Sequence, residues 1–116
     1  VNPDSLFLAA LYHDVGKMWD YMPTNKDYTE WEGTEHKKLI YHIQRSGLIW
    51  YQNSGGYPEQ EEVYHAILAH HGRPDWGSPV VPRTRMAWML HLCDSISARI
   101  ADCDLTRVLP KESDQK

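Results

Sequence analysis

Apolar residues gather first in a short run near the start of the chain, residues 6–12. Asn2, a favoured N-cap residue, precedes this run, and Pro3 fits the first helical position. Because the run is apolar on all sides, it predicts a buried helix that ends at Gly16 in the left-handed conformation. Its seven residues fall far short of the roughly 20 that a membrane helix needs.

Apolar residues at helical spacing predict three further helices. The second covers residues 34–51, and the third covers residues 59–71, with acids in its first turn and Gly72 at its end. The fourth begins near Pro82 or Arg83 and ends at residue 102. The inner positions of the second helix are Leu39, Ile43, Ser46 and Trp50. Those of the fourth are Met86, Met89, Leu90, Cys93, Ile96 and Ile100.

The segments between these helices predict loops and complete the fold class. Residues 18–33 and 72–82 are rich in proline, glycine and polar residues, which is typical of long loops. No segment shows the sustained alternation that a strand needs, so we predict an all-α helical bundle. The domain is expected to span residues 1–109, followed by a polar tail at 110–116.

Composition and charge exclude several classes of protein. With 16 acidic and 12 basic residues, the chain cannot hold nucleic acid mainly by bulk positive charge. On one helix Cys93 and Cys103 would lie about 15 Å apart, which is too far for a disulfide. The sequence has no CxxC pair, which argues against a zinc finger. We therefore predict a cytoplasmic protein with two free thiols.

Several ionisable residues occupy positions where the helical pattern favours apolar ones. His13 and Asp14 interrupt the first helix, His42 and His70 border the inner faces of the second and third, and Asp94 borders that of the fourth. An unpaired buried carboxylate costs several kcal/mol, so a buried acid pairs or coordinates a metal. Imidazole nitrogen together with carboxylate oxygen suits Mn, Fe, Zn, Co or Ni. The pattern therefore predicts a divalent metal centre.

Each of these residues also has a simpler interpretation. His42 alone is compatible with a hydrogen-bonded core residue, and His70 and His71 with a helix C-terminus, where cationic imidazole favours the dipole. Asp94 alone is compatible with an ion pair, for example to Arg99. We favour the metal centre because all of these residues occur together at helix ends and inner positions.

Residues 11–17, LYHDVGK, resemble the signature of the HD-domain metal-dependent phosphohydrolases. The segments 41–43, 67–72, 76–79 and 90–94 then follow one another as in the bacterial YhaM-type 3′-to-5′ exoribonucleases, the branch that the chain resembles. The resemblance implies an HD-domain helical bundle with one or two divalent cations. Mn²⁺ is the first expectation, and Fe, Co, Ni, Zn or Mg are the alternatives.

The resemblance also implies a role for each candidate residue. His13, Asp14 and Asp94 would serve the first metal, and Asp14 would bridge to a second. His42 and His70 would hold this second metal. Two further residues would act on the phosphate, His71 as a ligand or direct contact and Lys17 as a point charge.

The expected substrate is RNA or single-stranded DNA, from whose 3′ end nucleotides would be released by metal-activated water. Arg73 and Trp76 lie in a loop near the metal, where Arg could hold a phosphate and Trp could stack on a base. Trp76 is equally compatible with loop packing. The alternatives are a nucleotide or cyclic-dinucleotide phosphohydrolase and a non-catalytic nucleotide-binding module. An oligomer is also compatible with the sequence.

The chain departs from the resembled family at one point. The family carries a further metal-ligating histidine on a helix before the His-Asp motif, whereas no histidine precedes His13 here. We therefore expect this domain to lack its N-terminal helix or helices, and an N-terminal segment or domain to be missing. The alternative is that His36 or His65 takes the place of the absent ligand. His91 is expected to support the ligands rather than to join them.

Overall fold

The computed structural model describes residues 1–103 of the chain, and helices dominate this part. The helices are α1 (Pro3–Tyr12), α2 (Lys17–Asp20), α3 (Glu35–Leu39), α4 (His42–Asn53), α5 (Gln60–Ala69) and α6 (Arg85–Ala101), with a 3-10 turn at Pro74–Trp76. Two short strands, β1 (Tyr21–Pro23) and β2 (Trp31–Gly33), pair antiparallel. The predicted domain end at residue 109 and the polar tail at 110–116 lie outside the described residues.

Helix α5 lies at the centre of the fold and packs against α1, α4 and α6. Val63, Ala66 and Ile67 of this helix are fully buried. They meet Ala9 of α1, Trp50 of α4, and Met86, Ala87 and Leu90 of α6. The prediction of a helical fold is confirmed. Among residues 1–103, no helix combines the length and the apolar character that crossing a membrane requires.

Helix α1 begins as predicted but ends earlier and is less buried than predicted. The side chain of Asn2 caps it by accepting a hydrogen bond from the backbone N–H of Asp4, at 2.9 Å. The helix ends at Tyr12, and Gly16 has φ −64°, so the predicted left-handed stop at Gly16 is wrong. Phe7 and Leu11 are mostly exposed, because no described element covers their face of the helix. The prediction that α1 is buried on all sides is therefore also wrong.

The predicted second helix, residues 34–51, is broken in two at residues 40 and 41. Tyr41 has φ 77° and ψ 153°, a backbone conformation that non-glycine residues rarely adopt and that costs on the order of 1–3 kcal/mol. Helix α4 starts after this break, and its first residue, His42, is buried. Leu39, which the continuous helix placed on the inner face, is 75% exposed.

The predicted loop at residues 18–33 contains the short helix α2 and a two-stranded hairpin. In this hairpin Tyr21 pairs with Gly33 and Pro23 pairs with Trp31. Strands of three residues are too short to show a period of two, which explains why the pattern did not indicate them.

Of the inner stripe predicted for the fourth helix, only two residues near the start of the helix are buried. Thr84 caps α6 by accepting from the N–H of Ala87 at 3.0 Å, and Met86 and Leu90 are buried. The remaining stripe residues, Met89, Cys93, Ile96 and Ile100, are exposed. The periodicity identifies the apolar face of a helix, but not how far along it the neighbouring helices extend. Both cysteines are free thiols, as predicted.

Candidate metal centre

The structure brings the predicted metal-ligating residues together from four parts of the fold. His13 and Asp14 lie in the turn that follows α1, and His42 begins α4. At the end of α5, His70 occupies the C-cap position. The remaining residues of the cluster are His71, which follows directly, and Asp94 of α6.

Three buried atoms at the centre of this cluster, Asp14 Oδ1, His42 Nε2 and His70 Nε2, have no hydrogen-bond partner among the described residues. The Asp14 oxygen lies 3.6 Å from the His42 nitrogen and 3.4 Å from the His70 nitrogen. Buried polar atoms in folded proteins are nearly always partnered. Unpartnered donor atoms that converge on one point are what a bound cation requires, so these residues fit a metal.

The hydrogen bonds of the other ring nitrogens determine which nitrogen faces the centre. The Nδ1 atoms of His13, His70 and His71 lie 2.6 Å from the backbone carbonyls of Ala10, Ile67 and Trp76, respectively. A carbonyl can only accept, so each of these Nδ1 atoms carries the proton and donates it. In the neutral form of each ring, Nε2 therefore has the lone pair, which is the form that a metal ligand needs.

The donor atoms form two overlapping groups. His42, His70 and His71 make one group, and His13, His70 and Asp94 make the other, with the ligand atoms of each group within 4.8 Å of one another. Asp14 lies between the groups, since its Oδ1 faces His42 and His70 while its Oδ2 is 3.3 Å from His13 Nε2. This arrangement has room for two cations. The assignment of each ligand to a particular cation stays a prediction.

The ionisable groups of the cluster shift the pKa values of one another. Burial alone would lower the pKa of His13, but hydrogen bonds to Asp14 and Asp94 outweigh it and raise this pKa to about 10. Burial would raise the pKa of Asp14, but its contacts with the imidazoles of His13 and His70 hold it well below the usual range. Burial lowers the pKa of His42 to about 4. Without a metal, His13 is therefore protonated at neutral pH and His42 is neutral.

Metal uptake is expected to displace the proton of His13. Because this pKa is raised to about 10, the lone pair becomes available only as the pH rises. The association constant for Mn²⁺ should therefore rise by about tenfold per pH unit from roughly pH 6.5 to 8.5, measured by competition with a chelator. An imidazole with the ordinary pKa of 6.5 would give a plateau instead.

The control for this measurement is His65→Gln, which should keep the pH dependence, whereas His13→Gln should lose it. His65 lies outside both ligand groups and accepts a hydrogen bond from the backbone of Arg83. An affinity for wild-type protein that stays constant above neutral pH would contradict the expected role of His13.

The two histidines considered as replacements for an upstream ligand have other partners. His36 uses both ring nitrogens, one 2.9 Å from Asp20 Oδ1 and the other accepting from Arg45 Nε at 3.0 Å. His65 accepts from the backbone N–H of Arg83, and among the described residues neither histidine belongs to a ligand group, so the geometry does not favour the alternative in which one of them replaces the absent ligand. His91 donates from Nδ1 to the carbonyl of His70 at 2.9 Å, the supporting contact that the sequence predicts for it.

The predicted phosphate and substrate contacts lie around the centre. Lys17 Nζ is half exposed and 3.3 Å from Asp14 Oδ2. Trp76 is exposed, and the guanidinium of Arg73 lies 5.0 Å from the centre of its ring. Arg73 also pairs with Asp75 at 2.9 Å. Lys17 therefore borders the cluster directly, whereas Arg73 reaches the site only through Trp76.

A pocket of about 370 Å³ opens beside the cluster. Its lining combines candidate metal ligands with an aromatic ring, small side chains and a cationic side chain. The lining residues are His70, His71, Trp76, His91, Asp94, Ser95, Ala98 and Arg99. Pockets of roughly 300–1,000 Å³ are the usual size for small ligands, so this one can hold a single nucleotide.

Sequence reasoning missed two residues that support the site. The carboxylate of Asp20 is fully buried beside His42, although the composition of its segment predicts a loop. The ring of Tyr41 packs 4.3 Å from that of His42 and closely against Gly77. No local sequence pattern marks either residue, because each acquires its role only from contacts distant in the chain.

Comparison with known proteins gives the family. The HD domain family matches residues 1–99. The chain is 35% identical over 122 aligned positions to the 3'-5' exoribonuclease YhaM of Shouchella clausii. This alignment covers 100% of this chain and 37% of that protein. The chain is also 32% identical over 103 aligned positions to the protein of the same name from Oceanobacillus iheyensis. That alignment covers 86% of this chain and 32% of the relative.

These relatives are longer than the chain, which spans about a third of their length. No solved structure matches the chain significantly. The family match covers nearly all of the described residues and includes every residue of the cluster. It also supports the predicted class of metal-dependent phosphohydrolase. The chain therefore belongs to the HD domain family.

Proposed function

We propose that this chain is a metal-dependent phosphodiester hydrolase domain that releases nucleotides from the 3′ end of RNA or single-stranded DNA. The observation that carries the proposal is the convergence of Asp14 Oδ1, His42 Nε2 and His70 Nε2, buried and unpartnered among the described residues, beside a nucleotide-sized pocket. Similarity to proteins named 3'-5' exoribonuclease supports the polymer substrate and the direction of attack.

The residues of the cluster have different roles in the proposed hydrolysis. A divalent cation held by the cluster would polarise the phosphodiester and activate water for attack on phosphorus, with Mn²⁺ the first expectation and Fe, Co, Ni, Zn or Mg the alternatives. Asp14 and Asp94 supply the negative charge that holds such a cation. Lys17 lies beside Asp14, where its ammonium balances the charge that develops on the phosphate oxygens.

The pocket supplies the contacts that a nucleotide needs beyond its phosphate. The exposed ring of Trp76 offers a face on which a base can stack. Ser95 and Arg99 lie on the same face of α6 and line the opposite wall, where they offer a hydroxyl and a cation to the sugar and phosphate. The acidic balance of the chain is compatible with this substrate because the cations and these side chains provide local positive charge.

The proposal is tested by incubating the purified protein with 5′-end-labelled single-stranded RNA and Mn²⁺. We expect stepwise shortening from the 3′ end and complete inhibition by EDTA. Intact RNA together with rapid hydrolysis of a free nucleotide or cyclic dinucleotide would contradict the proposal in favour of a small-molecule phosphohydrolase. Nucleotide binding without any turnover would contradict it in favour of a non-catalytic module.

A pocket variant separates nucleotide recognition from metal chemistry. Trp76→Ala should remove the stacking face of the pocket, and it leaves in place the backbone carbonyl that accepts from His71 Nδ1. A base stacked on an aromatic ring contributes about 1–3 kcal/mol, so RNA hydrolysis should fall roughly tenfold. Hydrolysis of bis(p-nitrophenyl) phosphate, which does not need a stacked base, should be retained. Trp31→Ala is the matched control, because this exposed tryptophan lies in the hairpin and does not line the pocket, and it should leave both activities unchanged.

A further inference from the structure

Asp20 is the most deeply buried acid among the described residues, with no exposed surface. It ends α2 and is held by the hairpin, because its backbone carbonyl accepts from the N–H of Thr34 at 2.9 Å. One carboxylate oxygen, Oδ1, lies 2.9 Å from His36 Nδ1. The other, Oδ2, accepts from the backbone N–H of His42 at 3.0 Å and lies 3.4 Å from His42 Nδ1. Both oxygens of this buried carboxylate are therefore committed to histidines.

The hydrogen bonds around Asp20 determine which ring nitrogen of His36 and which ring nitrogen of His42 carries the proton. Arg45 Nε can only donate, and it does so to His36 Nε2 at 3.0 Å. His36 must therefore carry its proton on Nδ1 and donate it to Asp20 Oδ1. The remaining oxygen of Asp20 faces His42, whose Nδ1 must likewise be the protonated nitrogen. This leaves His42 Nε2, the atom that faces Asp14, with a free lone pair.

We infer that Asp20 is the positioning residue of the metal centre, which fixes the ring orientation and tautomer of His42. The inference rests on the proposed function only in that His42 binds a metal, and it does not depend on the substrate. It also gives α2 and α3 a role, since these two helices carry Asp20 and His36 to the side of His42 that faces away from Asp14. A partner of this kind is typical behind metal-binding histidines and contributes to affinity.

Asp20→Ala is the decisive variant, because it removes the carboxylate that faces His42 Nδ1. Asparagine would be less informative, because the backbone N–H of His42 and the Nδ1–H of His36 would compete for its single amide oxygen. Without Asp20, the carboxylate of Asp14, 3.6 Å from His42 Nε2, favours the tautomer with the proton on Nε2. We expect the affinity for Mn²⁺ to fall about 10–100-fold.

The tautomer is measured directly by long-range ¹H–¹⁵N correlation of histidine-labelled, metal-free protein. His42 should carry its proton on Nδ1 in wild-type protein and on Nε2 in Asp20→Ala. The matched control is Thr34→Ala, which removes the cap of α3 and the bond to the Trp19 carbonyl but leaves Asp20 and His42 intact. This variant should lose stability and keep both the tautomer and the Mn²⁺ affinity.

Two results would overturn the inference. One is a wild-type spectrum with the His42 proton on Nε2, which needs no variant to fold. The other is an Asp20→Ala protein whose tautomer and Mn²⁺ affinity match those of Thr34→Ala, since Asp20 would then act only as a cap for α4. If wild-type protein binds no metal, the proposed function fails, while the tautomer spectra still decide the role of Asp20.

Discussion

Asp14→Asn is expected to abolish both metal binding and phosphodiester hydrolysis. The substitution preserves the shape of the side chain but removes the negative charge between the two ligand groups. Losing even a supporting contact of a metal site costs about 10–100-fold in affinity, so a direct ligand should cost at least about 100-fold. Hydrolysis should fall on the order of a thousandfold or more, since a bound metal supplies several kcal/mol of transition-state stabilisation.

Metal content after dialysis, measured by elemental analysis, and hydrolysis of a small diester check this expectation together. Asp27→Asn is the matched control, because this exposed acid lies in the hairpin turn and takes no part in the cluster. The control should keep full metal content and activity. An Asp14→Asn protein with the metal content of wild type would show that the cluster is not organised around this carboxylate.

Gly16→Ala is expected to be severely destabilising, for steric reasons alone. A Cβ atom at this position would lie 2.2 Å from the carbonyl oxygen of His42 and 2.8 Å from the backbone nitrogen of Ser46. These are backbone atoms of α4 and cannot rotate away. The approach is reinforced by the N–H of Gly16, which donates to Ser46 Oγ at 2.8 Å. The substitution therefore drives the His-Asp turn away from the start of α4.

We expect the free energy of unfolding to fall by about 3 kcal/mol or more, at the upper end of overpacking effects. For a domain of this size the midpoint of thermal unfolding should drop by about 10 °C or more. Gly55→Ala is the control, since a Cβ there meets nothing within 4 Å. Circular dichroism melts of the two variants that coincide would contradict the close approach of the turn to α4.

The metal cluster could be predicted from the sequence because each ligand interrupts a regular pattern. His70 follows Val63 and Ile67 at helical spacing, so its inward direction is already fixed by the helix. His13 and Asp14 end an apolar run, and the polar pair is conspicuous there. In such positions a local pattern contains enough information to place a side chain in the interior.

The support behind the cluster could not be predicted in the same way. Asp20 stands among polar and aromatic residues, where exposure is the expected state, and its burial depends on His36 and His42 far along the chain. The break between α3 and α4 goes against the helical periodicity of residues 34–51, because tertiary contacts of Tyr41 with His71 and Gly77 offset its backbone strain. These features depend on long-range contacts, which a pattern along the sequence does not contain.

The metal centre itself is tested most directly by anomalous diffraction from crystals of the protein grown with Mn²⁺. We expect anomalous density at the point where Asp14 Oδ1, His42 Nε2 and His70 Nε2 converge, with metal–ligand distances of about 2.0–2.3 Å. A second peak is expected near His13 and Asp94. An ordered water or a direct hydrogen bond at the point of convergence, with no anomalous density under saturating Mn²⁺, would show that these residues do not form a metal centre.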